Sequence, residues 1–198
     1  MNLPNRTAMT ATLAALLTAC AAAPQSASDA TAPYQLRGIS VGKPSGEWRV
    51  AANTPTTLVL RKPSAAGAPS FVMGITAVSA AHLDLNSPEG QRRAVEGMLL
   101  AGEVARYRVT ELKLQPRRRS GAECVLYEAL VDEQSAESPG SPLLLTNQGF
   151  ICRHPDSMTY YVAGAWSERR ARDQKPVLDS TLRTEAEQFL ESVRFTSL

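Results

Sequence analysis

The sequence predicts a single α+β domain, an antiparallel β-sheet flanked by helices. Two segments have the period of about 3.6 residues typical of amphipathic helices, while most others alternate apolar and polar residues as half-buried strands do. The strand segments are joined by mostly short connections, which favour antiparallel neighbours because parallel strands need long crossovers. A length of 198 residues, with 43% hydrophobic and 20% charged residues, is ordinary for one folded domain.

The first twenty residues have the pattern of a secretory signal. A weakly positive start at Arg6 precedes the uncharged, Ala- and Leu-rich segment 7–17, which is too short for a permanent membrane-spanning helix. The segment ends in the motif Leu17–Cys20 (LTAC), which resembles the lipobox of bacterial lipoproteins. That resemblance implies fatty acylation of the Cys20 thiol, for example with palmitate, and cleavage just before Cys20.

The residue after the cysteine is Ala21 rather than Asp, which by the same resemblance implies the outer membrane. Several acyl chains on one cysteine suffice for stable anchoring, so the protein would be attached to a membrane without crossing it. The alternative is an ordinary signal peptide cut within residues 21–23, which would discard Cys20.

These motifs divide the chain into three parts. Residues 1–19 are the expected signal peptide, residues 20–33 the acylated cysteine with a tether, and residues 34–198 the folded body. The tether sequence AAAPQSASDATAP has no apolar period and cannot bury enough surface to order itself. A flexible chain of this length spans about 20 Å on average, so the body would stay close to the bilayer.

The first half of the body begins with four segments that alternate as strands do. They are Tyr34–Val41, Glu47–Ala51, Thr57–Lys62 and Phe71–Ser79. A helix follows, because Ser87 is a good N-cap, Pro88 suits the first helical position and Glu89 favours the positive N-terminal end. Its apolar face extends to Ala105. We expect its internal glycines to allow close contact with a sheet; they are Gly97 and Gly102.

The second half contains four further strands and a last helix. The strands are Tyr107–Leu114, Glu123–Asp132, Leu143–Arg153 and Thr159–Trp166. The helix runs from about Ser180 to Arg194 and is capped by Asp179. Its apolar side chains recur at spacings of three and four; they are Leu178, Leu182, Ala186, Phe189, Leu190 and Val193.

Two cysteines remain after processing, and their positions predict an inter-strand disulfide. In a hairpin the residue numbers of two facing positions have a constant sum. Pairing Cys124 with Cys152 therefore places the turn at Ser138, within the Ser- and Pro-rich segment 134–142. The same register pairs Leu126 with Phe150 on that face and Val125 with Ile151 on the other. Both faces are apolar, as expected if helices cover both. In an exported chain, a structural disulfide is the expected state of such a pair.

Little in the sequence predicts catalysis, a cofactor or a metal. The net charge of +2 is too small to favour nucleic acid, and no nucleophile elbow or phosphate-binding loop is present. The two histidines, His82 and His154, each lie in an expected loop and cannot supply the three or four ligands of a zinc site. The glutamates of the last helix are expected to form a solvated face; they are Glu185, Glu187 and Glu191. We therefore predict that the protein is not an enzyme.

Two groups of arginines fall in expected turns. One is Arg117, Arg118 and Arg119, and the other is Arg169, Arg170 and Arg172. Guanidinium groups bind phosphate in a bidentate manner, so the first group is a candidate contact for anionic lipid or lipopolysaccharide. The chain has 17 Arg and 4 Lys, however, so arginine in loops also reflects a general bias.

The order of elements resembles PsbP-like and DcrB-like domains. The residues that carry the resemblance are Gly38–Val41, Pro44 and Trp48 at one end and Phe189–Phe195 at the other. It covers about residues 36–195 and implies an α/β/α sandwich. That fold serves extrinsic photosystem subunits, periplasmic lipoproteins and secretion chaperones and has no shared catalytic residues, so it cannot by itself select a function.

The function predicted first is a non-enzymatic binding or accessory module, anchored to the periplasmic face of the outer membrane, with a protein partner in the envelope. One alternative is an immunity-type lipoprotein that neutralises a toxin. Another is a hydrolase with an unrecognised site. The loop Gln134–Pro142, with Glu133 and Glu137 as its charges, is a candidate recognition loop, or else an ordinary connection.

Overall fold

The computed structural model describes residues 32–63, 69–80, 83–100, 106–134, 143–176 and 179–198. Their helices and strands, in chain order, are β1 (Tyr34–Leu36), β2 (Ile39–Val41), β3 (Arg49–Asn53), β4 (Thr57–Arg61), β5 (Ser70–Ser79), α1 (Pro88–Leu100), β6 (Tyr107–Arg119), β7 (Ala122–Glu133), β8 (Leu143–Arg153), β9 (Tyr160–Ala171), α2 (Ser180–Glu191) and β10 (Arg194–Phe195).

Seven strands form the main sheet in the order β3-β4-β5-β9-β8-β7-β6, and β1, β2 and β10 form a small second sheet. All neighbouring strands are antiparallel. Helix α1 packs on one face of the main sheet with side chains such as Val95, and α2 packs on the other with side chains such as Phe189. The predicted α+β class and its α/β/α layering are therefore confirmed.

The disulfide has the predicted register. Cys124 pairs directly with Cys152 across β7 and β8, and the two sulfur atoms are bonded. Leu126 faces Phe150 in the same ladder, as expected. Cys124 belongs to the apolar layer under α2, whereas its chain neighbour Val125 belongs to the layer under α1. Both faces of the sheet are thus apolar because both are covered by a helix.

The segment predicted as one strand, Tyr34–Val41, is instead the hairpin of β1 and β2. Gly38 lies between the two strands at φ +72°, a left-handed conformation that glycine adopts without strain. A side chain at this position would also meet the His154 ring, because a Cβ built there lies 3.1 Å from Nε2. The alternation of apolar and polar residues continues through this segment because the tight two-residue turn does not interrupt it, so the sequence resembles one strand.

Two strands are longer than predicted, and the arginines lie in them rather than in turns. Strand β6 continues to Arg119, and the turn that follows is made by Ser120 and Gly121, both at positive φ. Strand β9 continues to Ala171, so Arg169 and Arg170 are strand residues. Pro116 is accommodated because β6 is an edge strand, where a missing N–H leaves no ladder bond unmade.

Both helices start where the sequence predicts. The end of α2 and the surroundings of Gly97 differ from the prediction. The Ser87 hydroxyl accepts from the Gly90 amide at 3.0 Å, and the Asp179 carboxylate accepts from the Leu182 amide at 2.7 Å. Helix α2 ends at Glu191, because residues 194–195 pair with β2 as a strand. Gly97 faces open space within 4 Å, so close packing on the sheet does not explain it.

Several predicted features lie outside the described residues. They are the signal and acylated cysteine within 1–31, His82, Gly102, Ala105, Leu178 and the loop tip 135–142. Within the described ranges, neither helix has the length and apolar character needed to span a bilayer.

We predict that the mature protein has no thiol that reacts with a maleimide until it is reduced. Closing the loop between Cys124 and Cys152 should stabilise the fold by about 3–4 kcal/mol in the chain-entropy model. Replacing both cysteines with Ala should therefore lower the free energy of unfolding by that amount. Urea unfolding with and without reductant measures the effect. Two reactive thiols in the unreduced periplasmic protein would contradict the prediction.

Candidate functional site

An open groove of about 750 Å³ lies on the α2 side of the main sheet. Helix α2 is narrower than a seven-stranded sheet and lies closest to β9. Strands β6, β7 and β8 extend beyond it, and their exposed part forms the groove with the flank of α2 as its second wall. The groove therefore results from the mismatch in width between one helix and the sheet.

The floor of the groove is apolar. It is formed by Leu126 of β7 and Phe150 of β8, beside the Cys124–Cys152 disulfide, and Leu190 closes it on the helix side. Phe150 is 2% exposed, whereas Leu126 is only partly buried and presents apolar surface to the groove. Because the disulfide joins the two floor strands, this surface is preformed.

The two walls carry opposite charges. On the β6 wall the basic residues are Lys113, Arg117, Arg118 and Arg119. On the α2 wall the charged residues are Glu187 and Glu191. The glutamates of α2 were expected to form a solvated face, but these two line the groove opposite the basic residues of β6.

A smaller extension of about 190 Å³ continues the groove along the same face. It shares Lys113, Glu128 and Gln148 with the main part and reaches Glu111 on β6. The distance along β6 from Glu111 to Arg119 is about 26 Å at the rise of a strand. Trp166 lines this extension, and its buried indole N–H has no hydrogen-bond partner among the described residues.

Arg119 joins the edge strand to the end of α2. Its Nη2 donates to the Leu190 carbonyl oxygen at 2.8 Å, and its guanidinium lies 5.3 Å from the centre of the Phe150 ring. A cation is favourable here because the last carbonyls of a helix lack intrahelical partners. Burial, followed by the charge of neighbouring Arg194, lowers the pKa of Arg119 below its ordinary range.

The three consecutive arginines do not act as one patch. All three line the groove, but Arg118 also lies 3.9 Å from the Glu123 carboxylate, and Arg119 is bound to the Leu190 carbonyl oxygen. Arg117 has no carboxylate within ion-pairing distance among the described residues. The second arginine group is also not a free patch, because Arg169 and Arg172 are bound by carboxylates at the far end of the sheet.

Those carboxylates include a buried one that the sequence did not reveal. Glu133, expected to be a loop charge, is the last residue of β7 and its side chain is 0% exposed. Arg169 donates to it through Nε at 2.6 Å and Nη2 at 2.9 Å, and Arg106 donates through Nη2 at 2.6 Å. The hydrogen bonds from Arg169, and then those from Arg106, lower the pKa of Glu133.

Glu185 on α2 is likewise a structural residue rather than part of a solvated face. Its carboxylate accepts from the Trp48 indole N–H at 2.9 Å and pairs with the Lys62 ammonium at 2.7 Å. The same ammonium lies 4.7 Å from the centre of the Trp48 ring. These contacts hold the flank of α2 that faces away from the groove.

His154 is buried and ties the small sheet to the main one. Its Nε2 lies 3.0 Å from the Gly38 carbonyl oxygen and 3.1 Å from that of Thr196, while Nδ1 accepts from the Asp156 amide. Its two ring nitrogens are therefore occupied by backbone groups. Within the part of the chain that the structure describes, no group of three His, Cys, Asp or Glu side chains could hold a metal ion.

The layers and the strand order are those of a PsbP-like fold. The fold is similar to the cyanobacterial PsbP (CyanoP) of Synechocystis sp. PCC 6803, with a TM-score of 0.53 and 11% identity over 86% of this chain and 96% of that one. It is also similar to the Ran-binding protein Mog1p of Saccharomyces cerevisiae, with a TM-score of 0.51 and 10% identity over 81% of this chain and 91% of that one. The predicted PsbP-like fold is thereby confirmed.

No family model and no curated protein sequence matches the chain. At identities of 10–11% the likeness concerns the fold alone. The lipobox at Leu17–Cys20 stays a prediction.

We predict that Glu133→Gln lowers the free energy of unfolding at pH 7 by about 1.5–3 kcal/mol, because two guanidinium groups lose a charged partner. The pKa of this carboxyl is lowered in the folded state, so its stabilisation is complete above its ordinary value of 4.5 and is lost as the pH falls through the lowered value. Urea unfolding at a series of pH values measures the difference between variant and wild type, which should shrink at acidic pH.

The matched control is Glu128→Gln, which removes an exposed carboxylate 3.6 Å from Lys113. Exposed ion pairs contribute little, so this variant should unfold like wild type throughout. Equal effects of the two substitutions would show that burial of Glu133 has no energetic consequence.

Proposed function

We propose that the protein is a non-enzymatic binding module, anchored to the periplasmic face of the outer membrane through acylated Cys20, whose groove binds an extended segment of an envelope protein. The observation that carries the proposal is the groove beside α2, with its preformed apolar floor and oppositely charged walls. The anchor rests on the lipobox motif, and the choice of a protein partner rests on the shape and charge of the groove.

The length and the charge of the groove favour an extended peptide. Along about 26 Å, roughly eight residues of a strand would fit. Side chains of an extended peptide alternate in direction, so acidic side chains at one set of positions would meet Lys113 and Arg117, and basic ones at the other set would meet Glu187 and Glu191. Apolar side chains would contact the floor at Leu126.

The groove also has features that suit binding better than catalysis. The sulfur of Cys124 is held in the disulfide, so it cannot act as a thiolate nucleophile. Arg119 is engaged with the end of α2 and with Phe150. Since the disulfide fixes the floor and the arginine fixes the wall, little ordering entropy is lost when a ligand binds.

We predict that Arg117→Glu weakens binding of the partner segment about tenfold, because it places a like charge opposite the partner's acidic side chains. A photo-crosslinking residue at Gln115, inside the groove, first identifies the partner segment in intact cells. Titration of the corresponding synthetic peptide then gives Kd for each variant.

Arg49→Glu is the matched control, because it makes the same charge change at an exposed arginine of β3, on the other edge of the sheet, that does not line the groove. It should bind the peptide like wild type, and Glu187→Lys should weaken binding as Arg117→Glu does. Equal affinities for the Arg117 and Arg49 variants, or a crosslink that maps to a globular surface rather than an extended segment, would contradict the groove as the binding site.

A separate prediction concerns the anchor. Cys20→Ser should leave an unprocessed or soluble precursor, because the thiol that would be acylated is lost. Ala21→Asp should keep acylation but move the protein to the inner membrane in an enteric host. Detergent-phase partitioning and sucrose-gradient fractionation of the membranes measure the two effects. Complete detergent-phase partitioning of Cys20→Ser would refute the anchor.

A further inference from the structure

One end of the domain is formed by three turns that come together. The ladder between Cys124 and Cys152 places the β6–β7 turn and the β8–β9 turn side by side at the same end of the main sheet. The β1–β2 turn joins them, because the Gly38 carbonyl oxygen lies 3.0 Å from the His154 ring. We name residues 37–38, 117–123 and 153–158 the basic end.

Exposed apolar side chains collect at this end. Four large hydrophobic residues are exposed among the described residues, and three of them lie here: Met158 is 71% exposed, Leu198 50% and Val78 41%. Met158 is at the tip of the β8–β9 turn. Leu198 lies against the β1–β2 turn, and Val78 faces Tyr161 next to the same tip. A soluble surface gains nothing from such clustering, whereas a membrane-facing surface does.

The same end carries arginines that are only partly neutralised. The basic end contains five arginines and two acidic residues, Glu123 and Asp156. Arg153 and Arg118 share the Glu123 carboxylate, while Arg117 has no carboxylate within ion-pairing distance among the described residues. At the opposite end of the sheet, by contrast, Asp132 and Glu133 each bind two or more arginines.

The chain from the predicted anchor reaches the body close to this end. Strand β1 begins at Tyr34, three residues before Arg37, which is a distance of about 10 Å along a strand. The expected tether of residues 20–33 spans about 20 Å on average. The basic end is therefore within reach of the bilayer surface.

We infer that the basic end lies against the anionic phospholipid surface of the membrane that holds the anchor. Arg117 and Arg118 would contact phosphate groups, and Met158 would enter the boundary between head groups and acyl chains. This inference rests on the anchor in the proposed function. It also orients the groove: β6 runs towards the membrane at Arg119, so a bound segment would lie along the membrane normal, with the Glu111 end of the groove open to the periplasm.

The test uses the acylated mature protein, which begins at Cys20, reconstituted in vesicles of phosphatidylcholine alone or with about one third phosphatidylglycerol. Hydrogen peroxide oxidises exposed methionine, and mass spectrometry gives the oxidation rate of Met158, with the buried Met73 as an internal reference. We expect oxidation of Met158 to be at least fivefold slower on the anionic vesicles and to recover at high salt.

The Arg117→Gln/Arg118→Gln double variant should abolish this protection. The matched control, Arg49→Gln/Arg61→Gln, removes two exposed arginines that face each other on β3 and β4, at the opposite end of the sheet. It should leave the protection unchanged. Equal oxidation rates on both kinds of vesicle would overturn the inference.

Two further outcomes separate this inference from the proposed function. If the protein does not attach to vesicles at all, the anchor is wrong; if it attaches but Met158 stays reactive, only the orientation is wrong. Protection of Met158 in native envelopes but not on anionic vesicles would mean that the basic end contacts a protein instead, which also overturns the lipid assignment.

Discussion

Side chains of a β-strand alternate between two faces, so a slip of one residue between β7 and β8 would exchange the layers under α1 and α2. The Cys124–Cys152 disulfide excludes that slip. Under this register, Leu126 and Phe150 face the groove while Val125 and Ile151 pack under α1. The choice of the β7 and β8 side chains that face the groove follows from this single cross-strand pair.

A second constraint keeps the groove open. Helix α2 is held on one flank by Glu185, which binds Trp48 and Lys62, and at its C-terminal end by Arg119. Both contacts are polar and directional, so they fix the position of the helix more narrowly than apolar contact alone. With α2 held in this position, the floor at Leu126 stays uncovered.

Sequence reasoning succeeded where one local rule decided the outcome. The helix starts at Ser87 and Asp179 follow from capping, and the disulfide register follows from arithmetic across one hairpin. It failed where tertiary contacts decided. Pro116 followed by three arginines is a sequence typical of a loop. An edge strand tolerates both the proline and the charges, because one of its sides has no neighbouring strand. Glu133 resembles a loop charge, because its partner Arg169 is brought to it only by the strand order.

The groove could not be predicted for a similar reason. Its walls come from β6 and α2, which are more than sixty residues apart, and its existence depends on how much of the sheet α2 covers. Net charge is equally uninformative, since +2 averages over two unlike ends. At one end buried carboxylates bind the arginines; at the other, Arg117 is left without one beside exposed Met158. Such an asymmetry gives a tethered domain a preferred orientation, because electrostatic attraction to an anionic surface falls off within a Debye length and so acts only on the nearer end.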